Sequence, residues 1–371
     1  MNEKLLKTEE RAVYALRALY DKYGFTPYKM SKFEEYELYV KNKDFLISEG
    51  IITFTDTRGK LLALKPDVTL SIIKNSKDVE KGVSKVYYNE SVYRIAKGSH
   101  AFKEIMQTGL ECIGDIGIYH VAEVVALAVK SLSLLSDTYV LDLSHMGLID
   151  ALLDSLHMDA YAVKKLFSAI EKKNFGEICA LVAGGALPKE AEGLSRALLM
   201  EYKTPSDAQS ALAPYLVTEE AHAAFAEFSE IYDALAALGL AERVRIDFSV
   251  LSHRGYYSGV VFKGYVKGVP DSVLAGGRYD RMMRKMGRRD GAVGFAVYLD
   301  AIASQARDVR EYDADVLLLT AGAAVSSVLT AVEKLSQDGA RVFVADECPD
   351  GFRAKKTFQM QNGEAKEYGN A

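Results

Sequence analysis

The chain has few cysteines, and they lie far apart. Only three occur in 371 residues, Cys112, Cys179 and Cys348, and no CxxC pair is present. Structural zinc sites are built from closely spaced cysteine and histidine ligands, so we expect no metal site.

The sequence also lacks the hydrophobic stretches that direct a chain to a membrane. Its first residues, Met-Asn-Glu-Lys-Leu-Leu-Lys, contain no apolar signal core. No apolar run is expected to approach the length of a membrane span. These features predict a cytoplasmic protein with reduced thiols and no membrane contact.

Positive charge is not in excess. The formal net charge is −5, so the composition indicates no general affinity for nucleic acid. Residues 278–289 hold five arginines and one lysine, and we interpret this run as a solvated face. The apolar content of 49% and charged content of 26% are typical of a soluble globular protein.

Hydrophobic periodicity outlines the elements of the main domain, expected at residues 1–310. Helices are expected at 4–23, 68–74 and 120–135. Strands are expected at 50–56, 61–64, 85–93, 102–114, 139–142, 245–250 and 257–265. Alanine and leucine dominate from about 145 to 240, where strand patterns vanish, which predicts a helical insertion. Residues 276–280 predict a turn into a short helix, and 291–302 fit either a strand or a helix.

A second, small unit is expected at residues 313–371. A strand at 314–320, a helix at 325–337 and a strand at 340–345 predict one parallel, right-handed β-α-β unit. The chain becomes polar beyond Glu347, which predicts a tail. A unit of about 60 residues is marginal by itself, so we expect it to lean on the main domain.

Polar side chains interrupt the otherwise apolar strand at 102–114. Gln107 and Glu111 share one face, because side chains alternate along a strand, and Gly109 lies between them. A glycine inside a strand often marks a close approach to the backbone. Together with Arg94 on the preceding strand, this pattern suggests the floor of a groove for a small zwitterionic ligand. The alternatives are a buried, hydrogen-bonded network or the wet face of an edge strand.

Four short motifs then follow one another in a characteristic order. They are Leu-Lys-Pro-Asp-Val-Thr at 64–69, Tyr-Arg at 93–94 followed by Gln-Thr-Gly-Leu-Glu at 107–111, Gly-Tyr-Tyr-Ser-Gly-Val-Val-Phe at 255–262, and Ala-Gly-Gly-Arg-Tyr-Asp at 275–280. Together they resemble the catalytic core of histidyl-tRNA synthetase. Within that superfamily, the chain resembles the paralogue that regulates ATP phosphoribosyltransferase, the first enzyme of histidine biosynthesis.

The resemblance implies an α+β fold of the class II aminoacyl-tRNA synthetase type. An antiparallel sheet flanked by helices and carrying the helical insertion would occupy residues 1–310. Residues 313–371 would be a small α/β remnant of an anticodon-binding domain.

The resemblance also assigns one end of a histidine site. Asp67, Thr69 and Gln107 would hold the α-ammonium group, which needs acceptors. Arg94 would take the carboxylate, because a guanidinium fork pairs with it bidentately.

The imidazole end of the same site would be formed by Glu111, Tyr256 and Tyr257. A carboxylate and phenolic hydroxyls suit a ring N–H group. The alternative for the two tyrosines is aromatic core packing, in which case their hydroxyls would still need partners.

Several positions depart from the synthetase pattern. Ala301 stands where the third class II motif carries an arginine that neutralises ATP phosphate, and Ser252 aligns with a catalytic arginine. The loop at 98–102 is one residue shorter and shows no recognisable Gly-Arg, and Ser31 replaces a proline of the first motif. We therefore expect no catalytic residues and no cofactor.

The resemblance predicts a regulatory subunit that activates a short-form catalytic chain and binds histidine as a feedback effector. It implies a hetero-octamer that contains a dimer of this chain, and no nucleic-acid partner. The alternatives are a divergent histidyl-tRNA synthetase, or a related enzyme that aminoacylates something other than tRNA. Either would need ATP.

Overall fold

The computed structural model of the protein describes residues 6–42, 50–76, 82–95, 101–251, 256–303 and 311–368. The chain divides into two units, Met1–Ala306 and Arg307–Ala371. In chain order the described helices are α1 (Thr8–Lys22), α2 (Tyr36–Lys41), α3 (Thr69–Asn75), α4 (Ile118–Leu135), α5 (Met146–Asp154), α6 (Ala160–Glu171), α7 (Phe175–Ala183), α8 (Glu190–Leu198), α9 (Pro205–Leu212), α10 (Glu219–Ala237), α11 (Asp280–Lys285), α12 (Leu299–Ala303) and α13 (Val325–Ser336).

The described strands are sixteen in number. They are β1 (Thr26–Pro27), β2 (Phe33–Glu35), β3 (Thr53–Thr55), β4 (Leu61–Leu64), β5 (Val83–Ile95), β6 (Phe102–Gly114), β7 (Tyr139–His145), β8 (Glu201–Tyr202), β9 (Val244–Asp247), β10 (Val260–Val266), β11 (Leu274–Arg278), β12 (Gly291–Tyr298), β13 (Ala314–Leu319), β14 (Val342–Ala345), β15 (Ala354–Gln361) and β16 (Glu364–Glu367).

The first unit is built on a nine-stranded sheet in the order β1-β5-β6-β12-β11-β10-β7-β9-β8. Its centre is antiparallel, as expected, and the pairs β1–β5 and β7–β9 are parallel. The β5–β6 hairpin is the longest pairing of the sheet, and its register runs from Val83 opposite Gly114 to Ile95 opposite Phe102. A smaller sheet, β2-β4-β3, belongs to the same unit.

The two faces of the main sheet bury different clusters. Leu110 and Cys112 point into the main hydrophobic core, which also contains side chains of α1 and α4. Ile113 points the other way, into a second cluster with Leu70 of α3 and Tyr279. Alternation along β6 therefore places Gln107, Gly109 and Glu111 on the side of the second cluster.

The predicted turn at residues 276–280 is wrong at its start. Gly276 and Gly277 lie inside β11, between β10 and β12. A Cβ atom at Gly276 would lie 2.4 Å from the carbonyl oxygen of Gly294. The glycines therefore permit a close approach between strands, and only the residues after Arg278 lead into a helix.

The apolar run in α4 corrects the expectation about hydrophobic length. Among the described residues, this helix alone is long and apolar enough to cross a membrane by length and composition. Half of it is buried within the first unit, with Val124, Leu127 and Val129 fully enclosed.

The insertion and the segment before the second unit largely follow expectation. Helices α5 to α10 occupy the predicted insertion, which also contributes the two-residue strand β8 to the edge of the sheet. The segment at 291–302 contains both of the alternatives, strand β12 followed by helix α12.

The second unit contains the predicted β-α-β arrangement, with β13 and β14 parallel around α13. The polar segment after Glu347 is not a tail, because it contributes β15 and β16 to a four-stranded sheet in the order β14-β13-β15-β16. Leu318, Ala331 and Met360 form the buried centre of this unit.

Candidate functional site

The carboxyl group of Glu111 lies at the centre of the candidate site. Glu111 is 2% exposed and lies on β6 directly opposite Gly294 of β12. A Cβ atom at position 294 would lie 1.7 Å from Glu111 Oε2, so the carboxyl extends over the space that this glycine leaves open.

Two hydroxyl groups donate hydrogen bonds to this carboxyl. Thr69 Oγ1 lies 2.9 Å from Oε1, and the Tyr279 hydroxyl lies 2.5 Å from Oε2. Burial raises the pKa of Glu111 to about 8, and the two hydroxyl donors oppose that rise. The raised pKa favours the protonated form of Glu111, in which the carboxyl can both donate and accept a hydrogen bond.

A buried pair of opposite charges lies at the other end of the site. The Arg94 guanidinium donates from Nε to the carbonyl oxygen of Pro66 at 2.7 Å, and its Nη2 lies 3.8 Å from Asp67 Oδ2. Asp67 also accepts a hydrogen bond from the backbone N–H of Leu70, at the start of α3. Burial raises the pKa of Asp67, whereas Arg94 and the backbone donors oppose this.

Gln107 and Gly109 lie between these two ends. Gln107 is 3% exposed and lies opposite Tyr298 of the neighbouring strand β12. A Cβ atom at Gly109 would lie 2.5 Å from the Tyr88 hydroxyl. The close approach predicted for this glycine is therefore made by the carbonyl oxygen of Phe295, 2.3 Å from the same Cβ position, and by the phenol of Tyr88, which reaches across from the neighbouring strand.

Tyr256 and Tyr257 border the site, and both are half-buried. Their ring centroids are 4.6 Å apart, and Tyr256 lies 5.9 Å from the ring of Tyr279. The ring of Tyr257 fills the space above Gly277, where a Cβ atom would lie 2.7 Å from it. Burial raises the pKa values of both phenols well above their usual range, so they are neutral hydrogen-bonding groups.

Three further tyrosines belong to the site and are not predicted from the sequence alone. Tyr279 lies within the recognised Ala-Gly-Gly-Arg-Tyr-Asp motif, so its position carried a signal. Tyr298 lies opposite Gln107, and Tyr88 lies opposite Gly109. Only the register between strands brings these last two to the site.

Two of the departures from the synthetase pattern, Ser252 and most of the loop at 98–102, lie outside the described residues. Ala301 is half-buried in α12 and packs against the main hydrophobic core. No group of three or more potential metal ligands occurs in the described part of the chain. Chemically, the site offers two buried carboxyl groups, one guanidinium, one amide and several phenols.

The central antiparallel sheet and the polar site on its face define a class II aminoacyl-tRNA synthetase fold. A family described as Histidyl-tRNA synthetase matches residues 1–302, and the chain belongs to this family. Fold class and family thus confirm what the four motifs predicted.

The individual proteins that are similar in sequence have a name different from that of the family. The chain is 27% identical over 295 residues to an ATP phosphoribosyltransferase regulatory subunit of Clostridium kluyveri, covering 77% of this chain and 75% of that protein. It is 26% identical over 362 residues to the protein of that name from Clostridium acetobutylicum, covering 94% and 87%.

Solved structures share the fold. An ATP phosphoribosyltransferase regulatory subunit/histidyl-tRNA synthetase from Bacillus halodurans superposes with a TM-score of 0.73 at 24% identity, covering 91% of this chain and 88% of that one. A chain of an ATP phosphoribosyl transferase complex from Thermotoga maritima gives 0.62 at 20% identity, covering 80% and 97%.

Proposed function

We propose that the chain is a regulatory subunit of ATP phosphoribosyltransferase in histidine biosynthesis, which binds free histidine and performs no catalysis itself. The observation that carries the proposal is a cluster of buried groups suited to an amino acid, in a chain whose sequence lacks the arginine that would neutralise ATP phosphate. Arg94, Asp67 and Glu111 are all buried at one site, whereas Ala301 stands where the third class II motif has its arginine. The names of the similar Clostridium proteins support the same function.

The charged and polar groups of the site match the ammonium and carboxylate groups of histidine. Asp67 and the side-chain oxygens of Gln107 and Thr69 provide acceptors for the ammonium group. Arg94 provides the fork for the carboxylate.

Glu111 and the tyrosine pair complete the site at the imidazole. A protonated Glu111 can donate to one ring nitrogen, and an ionised Glu111 can accept from a ring N–H, so the site suits either form of the ring. Tyr256 and Tyr257 add aromatic surface and neutral hydroxyls around it.

Feedback inhibition then follows from differential binding. Histidine shifts the complex toward an inhibited state only if it binds that state more tightly, and a coupling of about 1–3 kcal/mol is sufficient. The phosphoribosyl transfer would take place on a short-form catalytic chain. We further propose a cytoplasmic hetero-octamer that contains a dimer of this chain, with no nucleic acid bound.

Two assays on the purified chain test the proposal. Mixing it with the short-form catalytic chain should raise phosphoribosyltransferase activity strongly, and added histidine should suppress that activity. Histidine-dependent exchange of pyrophosphate with ATP should be absent. Clear exchange would refute the absence of catalysis and favour one of the two ATP-dependent alternatives, a divergent histidyl-tRNA synthetase or a related enzyme that aminoacylates something other than tRNA. A mixture no more active than the catalytic chain alone would refute the partnership.

A further inference from the structure

Tyr298 is the first large side chain along the floor of the site. It is the last residue of β12 and pairs with Gln107 of β6. Val293, Phe295 and Val297 of the same strand point into the main hydrophobic core. The alternate residues of β12 therefore face the site, and they are Ala292, Gly294, Ala296 and Tyr298. The floor is thus made of small residues until it reaches this tyrosine.

The phenol of Tyr298 lies beside the guanidinium of Arg94. Burial raises the pKa of Tyr298, and the charge of Arg94 and its hydrogen bond to the phenol oppose that rise. Arg94 also contacts the carbonyl oxygen of Pro66 and the carboxylate of Asp67. Three groups thus contact one guanidinium, and the ring of Tyr298 is the only large side chain among them that comes from the strand forming the floor.

We propose that Tyr298 is a specificity-determining residue, which admits a free α-carboxylate to Arg94 and excludes a carboxylate that is esterified or joined to a nucleotide. The inference rests on the proposed function, because it concerns the same histidine site. An ester or an adenylate carries its extra group on the carboxylate oxygen, the atom that Arg94 would hold. An ester loses the negative charge that pairs with the guanidinium, and an adenylate carries its charge on the phosphate instead of the carboxylate. Both also bring bulk toward the ring of Tyr298.

The test compares three ligands on the full-length chain by calorimetry and thermal shift. They are L-histidine, L-histidine methyl ester and a non-hydrolysable analogue of histidyl adenylate. We expect the unmodified chain to bind histidine at least about tenfold more tightly than either modified ligand, because both lose the bidentate pairing. Tyr298→Ala should gain at least about tenfold in affinity for the adenylate analogue, since the excluding ring is gone.

Tyr298→Phe separates the volume of the ring from its hydroxyl group. It should still exclude the adenylate analogue, and it should bind histidine about tenfold more weakly because Arg94 loses a hydrogen-bonding partner. Tyr265→Ala is the matched control. Tyr265 lies on β10 beside a cavity of about 390 Å³ whose lining residues include none of the histidine-site groups, so this change should leave the ligand preference intact.

The outcomes separate the two proposals. Equal affinity of the unmodified chain for histidine and the adenylate analogue would overturn the role of Tyr298 and leave the histidine site standing. An unchanged preference in Tyr298→Ala would do the same. No binding of histidine to the unmodified chain would refute the histidine site and this inference with it. The comparison of histidine with the adenylate analogue on the unmodified chain needs no variant, so it can overturn the proposal even if Tyr298→Ala fails to fold.

Discussion

A carboxyl group that is buried beside hydroxyl donors behaves differently from one at the surface, and Glu111 shows the consequence. Its carboxyl accepts hydrogen bonds from Thr69 and Tyr279, neither of which carries a positive charge. At these contacts no positively charged group offsets the hydration that the ionised carboxylate loses on burial. Burial is therefore the largest influence on its pKa, and it favours the protonated form. Asp67 differs, since Arg94 lies close enough to oppose the same effect.

Stability of the ligand-free chain should depend on pH through Glu111. The pKa of its carboxyl is raised from 4.5 to about 8 on folding. Between these values the folded chain holds a proton that the unfolded chain has released, so the free energy of unfolding falls as pH rises. Glu111→Gln removes this titration, and its stability relative to the unmodified chain should increase from pH 5 to pH 8.

Chemical unfolding of both proteins across this pH range measures the effect. Glu104→Gln serves as the control, because Glu104 lies on the same strand and is exposed. Its pH profile should parallel that of the unmodified chain. Parallel profiles for Glu111→Gln as well would show that the Glu111 carboxyl does not retain its proton on folding.

At the scale of elements, the site depends on how closely three strands approach one another. Gly294 of β12 faces Glu111 on one side and Gly277 of β11 on the other. Each glycine leaves room for a side chain that reaches over it, the carboxyl of Glu111 at Gly294 and the ring of Tyr257 at Gly277. These small residues therefore form the floor of the site and also bring its polar groups together.

The sequence could predict the long hairpin but could not predict these approaches. Alternating side chains and apolar bulk predict both ends of β6 correctly, and they predict each end of β5 to within two residues. Gly276 and Gly277 suggest a turn in the sequence because glycine is common both in turns and at close contacts, and only the position of a neighbouring strand distinguishes the two. Tyr88 reaches Gly109 through strand register, which a single sequence does not contain.

Adding one methyl group at Gly294 should disrupt the site. The new Cβ atom would lie 1.7 Å from Glu111 Oε2 and 2.5 Å from the carbonyl oxygen of Leu110, which belongs to the backbone and cannot move aside. We expect Gly294→Ala to lower stability by about 1–3 kcal/mol and to abolish the histidine-induced rise in melting temperature.

Gly176→Ala is a suitable control for this change. Gly176 lies within α7, and the nearest atom to an added Cβ there is 3.7 Å away. Alanine should stabilise that helix by about 0.5–1 kcal/mol and leave the histidine response unchanged. A Gly294→Ala protein that still responds fully to histidine would show that Glu111 does not need its present position.

At the scale of the whole molecule, each of the two units has its own core. The first unit buries two large clusters, one on each face of its main sheet. The centre of the second unit consists of Leu318, Ala331 and Met360, with partly buried neighbours around them. Its strand β15 is not predicted from the sequence because one face is solvated, so that Phe358 and Met360 are the only large apolar residues in the strand.

The small core makes the second unit the more easily destabilised of the two. Leu318 is fully buried at its centre, and replacing a buried leucine by alanine costs about 2–5 kcal/mol. Small domains have little stability beyond that amount. We therefore expect Leu318→Ala to raise hydrogen exchange throughout β13 to β16, while β5 and β6 stay protected and histidine still raises the melting temperature of the first unit.

Val325→Ala provides the comparison within the same unit, because Val325 is 75% exposed at the start of α13 and should tolerate the change. Peptide-resolved hydrogen exchange of the three proteins, with and without histidine, measures both units in one experiment. If Leu318→Ala also raised exchange in β5 and β6 or removed the histidine response, the two units would unfold together. The second unit would then contribute to the stability of the proposed histidine site, to which none of its described residues is assigned.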